Sequence, residues 1–188
     1  MSHRTSCFQL NDLFPREIDI EVCLKTLKIF QKLEGDVNCV VWDASLVLAK
    51  YLETMCQHKA DFLSGIKVLE LGSGLGVVGL TAATLGAQVT LTDLPEALPL
   101  LRLNISENKQ KIAIDPLIET LQCLNNTINK KPTIYLTQEL RDSDIQKKLW
   151  DVFYEKLTEF FYIEKIPEEQ QHVNYRSSDI LLLKIIKK

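Results

Sequence analysis

The chain has 188 residues, 46% of them apolar and 25% charged, which fits one soluble domain with a real core and excludes a disordered or fibrous chain. A formal charge of −3 implies no general attraction to nucleic acid, and Lys187 and Lys188 make only a small solvated patch. No apolar run approaches the roughly 18 residues of a membrane span. The start, Met1-Ser2-His3-Arg4, lacks an apolar signal core, so a cytoplasmic protein is expected.

Five cysteines (Cys7, Cys23, Cys39, Cys56 and Cys123) form an odd set without a CxxC pair. Neither a disulfide framework nor a metal site is suggested, and reduced, mostly buried thiols are expected. His3, His58 and His172 are scattered and form no constellation.

Residues 16–41 read as a β-hairpin leading to a third extended piece. Glu17 to Val22 alternates polar and apolar, Glu34-Gly35-Asp36 supplies turn residues, and Cys39-Val40-Val41-Trp42 is a short apolar run. Residues 44–53 read as a helix with Asp43 as N-cap. After a polar loop, 67–71 is a buried-type strand, 77–85 a helix stopped by Gly86, and 88–93 the next strand. A helix over 96–108 follows, with Pro95 in its first turn. This is the rhythm of a parallel α/β sheet. Beyond it, 113–125 reads as helix, 132–137 as strand and 144–159 as a long helix. Two final strands, 160–167 and 179–186, form an antiparallel pair at one sheet edge. The whole is expected to be a single domain over 1–188, with a hairpin region at 16–41, a core at 66–110 and a C-terminal part at 113–188.

The chemistry-bearing segment is Glu70-Leu71-Gly72-Ser73-Gly74-Leu75-Gly76, a glycine loop between a strand and a helix. Such glycines permit positive φ and let a ligand approach the backbone, while the helix N-terminus presents free N–H groups. Asp93, 17 residues after Gly76 at the end of the next strand, is placed to accept hydrogen bonds from two ribose hydroxyls. Gly74 to Gly79 alone also satisfies GxGxxG, the dinucleotide fingerprint. Glu70, two residues before the first glycine, and the lack of a second domain for hydride transfer favour S-adenosylmethionine instead.

Residues outside the loop sharpen this. Cys39-Val40-Val41-Trp42-Asp43-Ala44, Tyr51-Leu52-Glu53, Leu85-Gly86-Ala87, Thr92-Asp93-Leu94 and the pair Asn104 and Asn108 resemble the methyltransferase-like 21 group of seven-β-strand protein-lysine methyltransferases. The stretches 161–167 and 175–180 resemble the branch acting on valosin-containing protein, a hexameric AAA ATPase. The resemblance implies a Rossmann-like class I methyltransferase fold, mostly parallel, with an N-terminal hairpin and an antiparallel C-terminal edge. It further implies S-adenosylmethionine as cofactor and a protein lysine as methyl acceptor. Trp42 then packs against the cofactor, Gly72, Ser73, Gly74 and Gly76 form the loop that cradles it, and Asp93 holds its ribose. Glu70 stands behind the loop and helps the cofactor's amino group indirectly.

The chain departs from that group in one place. After the Asn104–Asn108 helix the family carries a strand, a Trp-Gly pair and a strand ending in an Ala-Asp-x-x-Tyr-like stretch, which border the adenine and the lysine channel. Here the chain runs from Asn108-Lys109-Gln110-Lys111 almost directly into Asp115-Pro116-Leu117. A strand–loop–strand unit is therefore expected to be missing near residues 109–114. The sheet is then incomplete, left either with unpaired backbone groups or repaired by residues 132–137. No catalytic side chain is assigned. A catalytically inactive form that binds cofactor weakly, or a protein partner, is the alternative function.

Overall fold

The structure is a computed structural model that describes residues 12–34, 37–108, 113–114, 133–140 and 144–188. Strands β1 (Leu13–Ile20) and β2 (Lys25–Lys32) pair antiparallel, Leu13 opposite Lys32 and Ile20 opposite Lys25. Their alternation sends Ile18, Ile20, Leu27 and Ile29 into the core. The hairpin turns through a 3-10 turn at Glu21–Cys23, with Leu24 at φ 54°. No glycine marks that turn, so composition points elsewhere, to 34–36. Positions 35 and 36 lie outside the described residues. The expected third extended piece is instead a 3-10 turn, Val37–Cys39. The Val41 N–H just beyond it is taken by Gln31 Oε1 at 2.8 Å rather than by a strand partner.

Helix α1 (Asp43–His58) runs longer than the sequence suggests. Asp43 is its first helical residue and not the N-cap, which is Trp42 in extended conformation. Five elements follow: β3 (Lys67–Leu71), α2 (Val77–Thr84), β4 (Gln88–Thr92), α3 (Leu98–Glu107) and β5 (Ala113–Ile114). β3, β4 and β5 form a parallel sheet in that order. α3 starts two residues later than expected because Pro99, not Pro95, fills its first turn. Residues 113 and 114, read as the start of a helix, instead pair with Thr90 and Leu91 as an edge strand. The rest of that expected helix, 115–125, lies outside the described residues.

A second sheet contains β6 (Thr133–Glu139), β7 (Phe161–Lys165) and β8 (Ile180–Lys187), with β8 in the middle and antiparallel to both neighbours. The strand expected at 132–137, the two final antiparallel strands and the long helix, here α4 (Asp144–Phe160), are all present. Helix α1 packs against α2 and against β6 and β8 of the second sheet. Its Leu46, Ala49 and Leu52 join the core over β3 and β4, while Tyr51 packs with Ile166 and Leu182 and meets the Tyr135 ring at 5.6 Å.

Among the described residues the sheet is thus divided, and β3 is an edge strand. Its Leu69 and Leu71 are 37% and 45% exposed, unlike side chains of a strand covered on both faces. β6 pairs with β8 and not with β3, so the repair by residues 132–137 is not seen. No helix among the described residues is long and apolar enough to cross a membrane.

Candidate functional site

The loop from Gly72 to Gly76 turns the chain from β3 into α2, and its glycines serve two different purposes. Gly76 faces inward at φ 83°: a Cβ there would lie 2.7 Å from Leu101 Cδ1 and 3.3 Å from Leu91 Cδ1. Gly72 and Gly74, at φ 65° and 51°, face outward, and a Cβ on either would meet nothing within 4 Å. Backbone with positive φ and open space above it can be approached closely by a ligand.

The loop is fastened from beneath. The Ser73 N–H donates to the Thr92 carbonyl at 3.0 Å, and the Gly76 N–H donates to the Ser73 carbonyl at 2.7 Å. The Ser73 hydroxyl is buried, 3.1 Å from both the carbonyl and the N–H of Thr92. The Ser73 hydroxyl is therefore engaged within the fold. It ties the loop to the end of β4.

Asp93 follows directly after β4. Its Oδ2 accepts the Gly74 N–H at 2.5 Å and its Oδ1 accepts the Leu94 N–H at 2.7 Å. The sequence spacing thus brings the carboxylate onto the glycine loop itself. Glu70 lies behind: its Oε2 accepts the Gly79 N–H at 2.8 Å, clamping α2 to β3. Burial pushes the Glu70 carboxyl up to about 8, against the pull of the Gly79 N–H, with the negative charge of Asp93 raising it further. Gly79 is demanded by packing, since a Cβ there would be 2.1 Å from Leu91 Cδ2 and 2.6 Å from Glu70 Oε2. Trp42 is held from another direction. Its indole N–H donates to the Val37 carbonyl at 2.6 Å, and the side chain is 40% exposed at the start of α1.

Two further groups support this assembly. Lys50, 1% exposed, donates from Nζ to Glu53 Oε2 at 2.7 Å and to the Asp19 carbonyl at 2.6 Å. The other Glu53 oxygen accepts the Val22 N–H at 3.0 Å, so a buried ion pair fixes the hairpin end to α1. The signal was a Lys and a Glu three apart on a helix, among residues that are otherwise apolar. Asn104 and Asn108 of α3 grip the edge of β2 like a short strand. Asn104 exchanges two hydrogen bonds with the Phe30 backbone and Asn108 two with Lys28. Among the described residues no cluster of three His, Cys, Asp or Glu could hold a metal.

A parallel β–loop–α–β unit with an acid at the second strand end, a leading hairpin and an antiparallel trailing sheet is a class I, Rossmann-like methyltransferase fold with an incomplete sheet. Solved structures share it. A SAM-dependent methyltransferase from Agrobacterium tumefaciens superposes with a TM-score of 0.59 at 14% identity, over 97% of this chain and 72% of that one. The T. thermophilus 16S rRNA N2 G1207 methyltransferase does so at 0.58 and 14%, over 94% and 51%.

Residues 23–128, more than half of the chain, match the lysine methyltransferase family, and the chain belongs to that family. Among curated proteins, the protein N-lysine methyltransferase METTL21A of Xenopus tropicalis is 51% identical over 75 residues, which is 40% of this chain and 33% of that protein. EEF1A lysine methyltransferase 3 is 41% identical over 100 residues in Xenopus tropicalis, covering 52% and 43%. The mouse form is 48% identical over 109 residues, covering 51% and 45%. These matches span a third to less than half of the relatives' length.

Proposed function

We propose that this chain binds S-adenosylmethionine on its glycine loop and is built for methyl transfer to a lysine amine of a protein substrate. The observation that carries this reading is the outward backbone of Gly72 and Gly74, open to 4 Å, with Asp93 bonded beside it. A bulky ligand fits above such backbone, and Asp93 is one short rearrangement from accepting ribose hydroxyls. Gly76 and Ser73 keep the loop's shape from below. Glu70 acts through Gly79, and Trp42 is proposed to pack against the cofactor on the family resemblance of residues 39–44. When bound, the cofactor supplies an electrophilic methyl group. The chain's task is to orient an incoming lysine that has lost its proton. A free lysine has a pKa near ~10.4, so the acceptor amine must be desolvated to react at neutral pH.

The substrate proposed is valosin-containing protein, on the resemblance of 161–167 and 175–180, and the proposed location is the cytoplasm. The relatives named for EEF1A make that protein the natural competitor. A second reading, a cofactor- or partner-binding module without turnover, is favoured by the edge that β3 presents beside the loop among the described residues. Incubation with radiolabelled S-adenosylmethionine and either valosin-containing protein or EEF1A decides among these. Label on valosin-containing protein, lost in Asp93→Ala, establishes transfer to that substrate, and little or none is expected from a chain that lacks the unit bordering the lysine channel. Cofactor binding without label on either protein establishes the second reading. Label on EEF1A alone overturns the substrate.

A further inference from the structure

Asn104 is 0% exposed, and all three of its bonded contacts go to backbone on two different elements. Its Oδ1 accepts the Phe30 N–H at 2.7 Å, and its Nδ2 donates to the Phe30 carbonyl at 3.2 Å and to the Leu75 carbonyl at 3.1 Å. Phe30 belongs to the hairpin and Leu75 to the glycine loop, between Gly74 and Gly76. One amide on a rigid helix therefore joins the hairpin edge to the middle of the loop. Its neighbour one turn on, Asn108, makes the same pair of bonds to Lys28, at 2.9 Å each, but reaches the Asn104 carbonyl where Asn104 reaches the loop.

We propose that Asn104 is a positioning residue for the glycine loop, and that its bond to the Leu75 carbonyl orders the loop for its cofactor. The inference rests on the reading of that loop as a cofactor site. Fixing the Leu75 carbonyl fixes the Leu75–Gly76 peptide plane, in a stretch where Gly74 and Gly76 on either side of Leu75 stand at φ 51° and 83°. Glycines lose the most conformational entropy on ordering, so a loop rich in them gains most from a bond to a rigid neighbour. A loop ordered before the ligand arrives binds it more tightly.

The test compares Asn104→Ala with Asn108→Ala in the full chain, by calorimetric titration with S-adenosylhomocysteine and by amide hydrogen exchange without ligand. Losing one buried bond to the loop is expected to weaken binding about tenfold in Asn104→Ala, and less than about twofold in Asn108→Ala. Exchange at the Gly74 and Gly76 amides accelerates only in the former. Asn104→Ser serves if the alanine variant does not fold, its hydroxyl being too short to span Phe30 and Leu75. Equal affinities and equal loop exchange in the two alanine variants overturn the proposal. If the unchanged protein binds no S-adenosylhomocysteine, the cofactor reading fails, and the exchange rates still decide whether Asn104 orders the loop.

Discussion

Gly79→Ala sets two known effects against each other at one atom. In an exposed helix the change stabilises by about 1 kcal/mol, because alanine is the better helix former. Here the new methyl would sit 2.1 Å from Leu91 Cδ2, 2.6 Å from Glu70 Oε2 and 3.1 Å from Val89 Cγ1. Leu91 is 0% exposed, so either its side chain is forced into a new rotamer within the core or α2 lifts away from β3 and β4. Overpacking of this kind costs about 1–3 kcal/mol. Lifting also stretches the 2.8 Å bond from the Gly79 N–H to Glu70, so the net expectation is a loss of about 1–2 kcal/mol. Urea denaturation reads this as a lower midpoint with unchanged slope. A thermal melt reads it as a drop of about 2–4 °C per kcal/mol for a chain of this size. A variant stabilised by about 1 kcal/mol would refute the close packing of α2 on the loop strand.

Three further outcomes follow from the same contacts. The Glu70 carboxyl is raised to about 8 in the folded chain, so it favours the neutral form there. Stability linked to Glu70 is therefore full below about pH 4.3, its unfolded value, and is lost as pH rises through about 8. Glu70→Gln should flatten that part of the denaturation-versus-pH curve, and an unchanged curve would contradict it. Lys50→Met leaves the buried Glu53 carboxylate without its cation and should cost about 3–5 kcal/mol by urea titration, whereas a change under about 1 kcal/mol would show the pair to be dispensable. In hydrogen exchange, the β4 amides, flanked by β3 and β5, should be protected more than those of β3 that face away from β4. Equal protection would mean that the β3 edge is covered.

The sequence made the site legible where one residue type has one use. Strand β3 at 67–71, the glycine loop and the acid at 93 lie at the expected positions, because period, turn chemistry and strand end agree there, but β3 is half exposed and not the buried strand its apolar run suggests. Helix boundaries were read less well. Pro95 and Pro99 both suit a first turn, and only packing chooses Pro99. The hairpin turn was invisible because Leu24 takes a left-handed conformation that glycine or asparagine would have advertised. Residues 113–114 looked helical because two residues carry no period, and the edge of β4 makes them a strand. The family resemblance implies an incomplete sheet, which no local pattern encodes, and β3 is an edge strand among the described residues. The buried pair Lys50–Glu53 escaped notice because a charged pair on a helix is usually solvated.

Calorimetric titration of the chain with S-adenosylmethionine, with Asp93→Ala alongside, tests whether Gly72, Gly74 and Asp93 form a cofactor cradle. Saturable binding at one site is expected, weakened at least about tenfold in Asp93→Ala by the loss of charge-assisted bonds to the ribose. No saturable heat from the unchanged protein, or equal affinity in the variant, would contradict it.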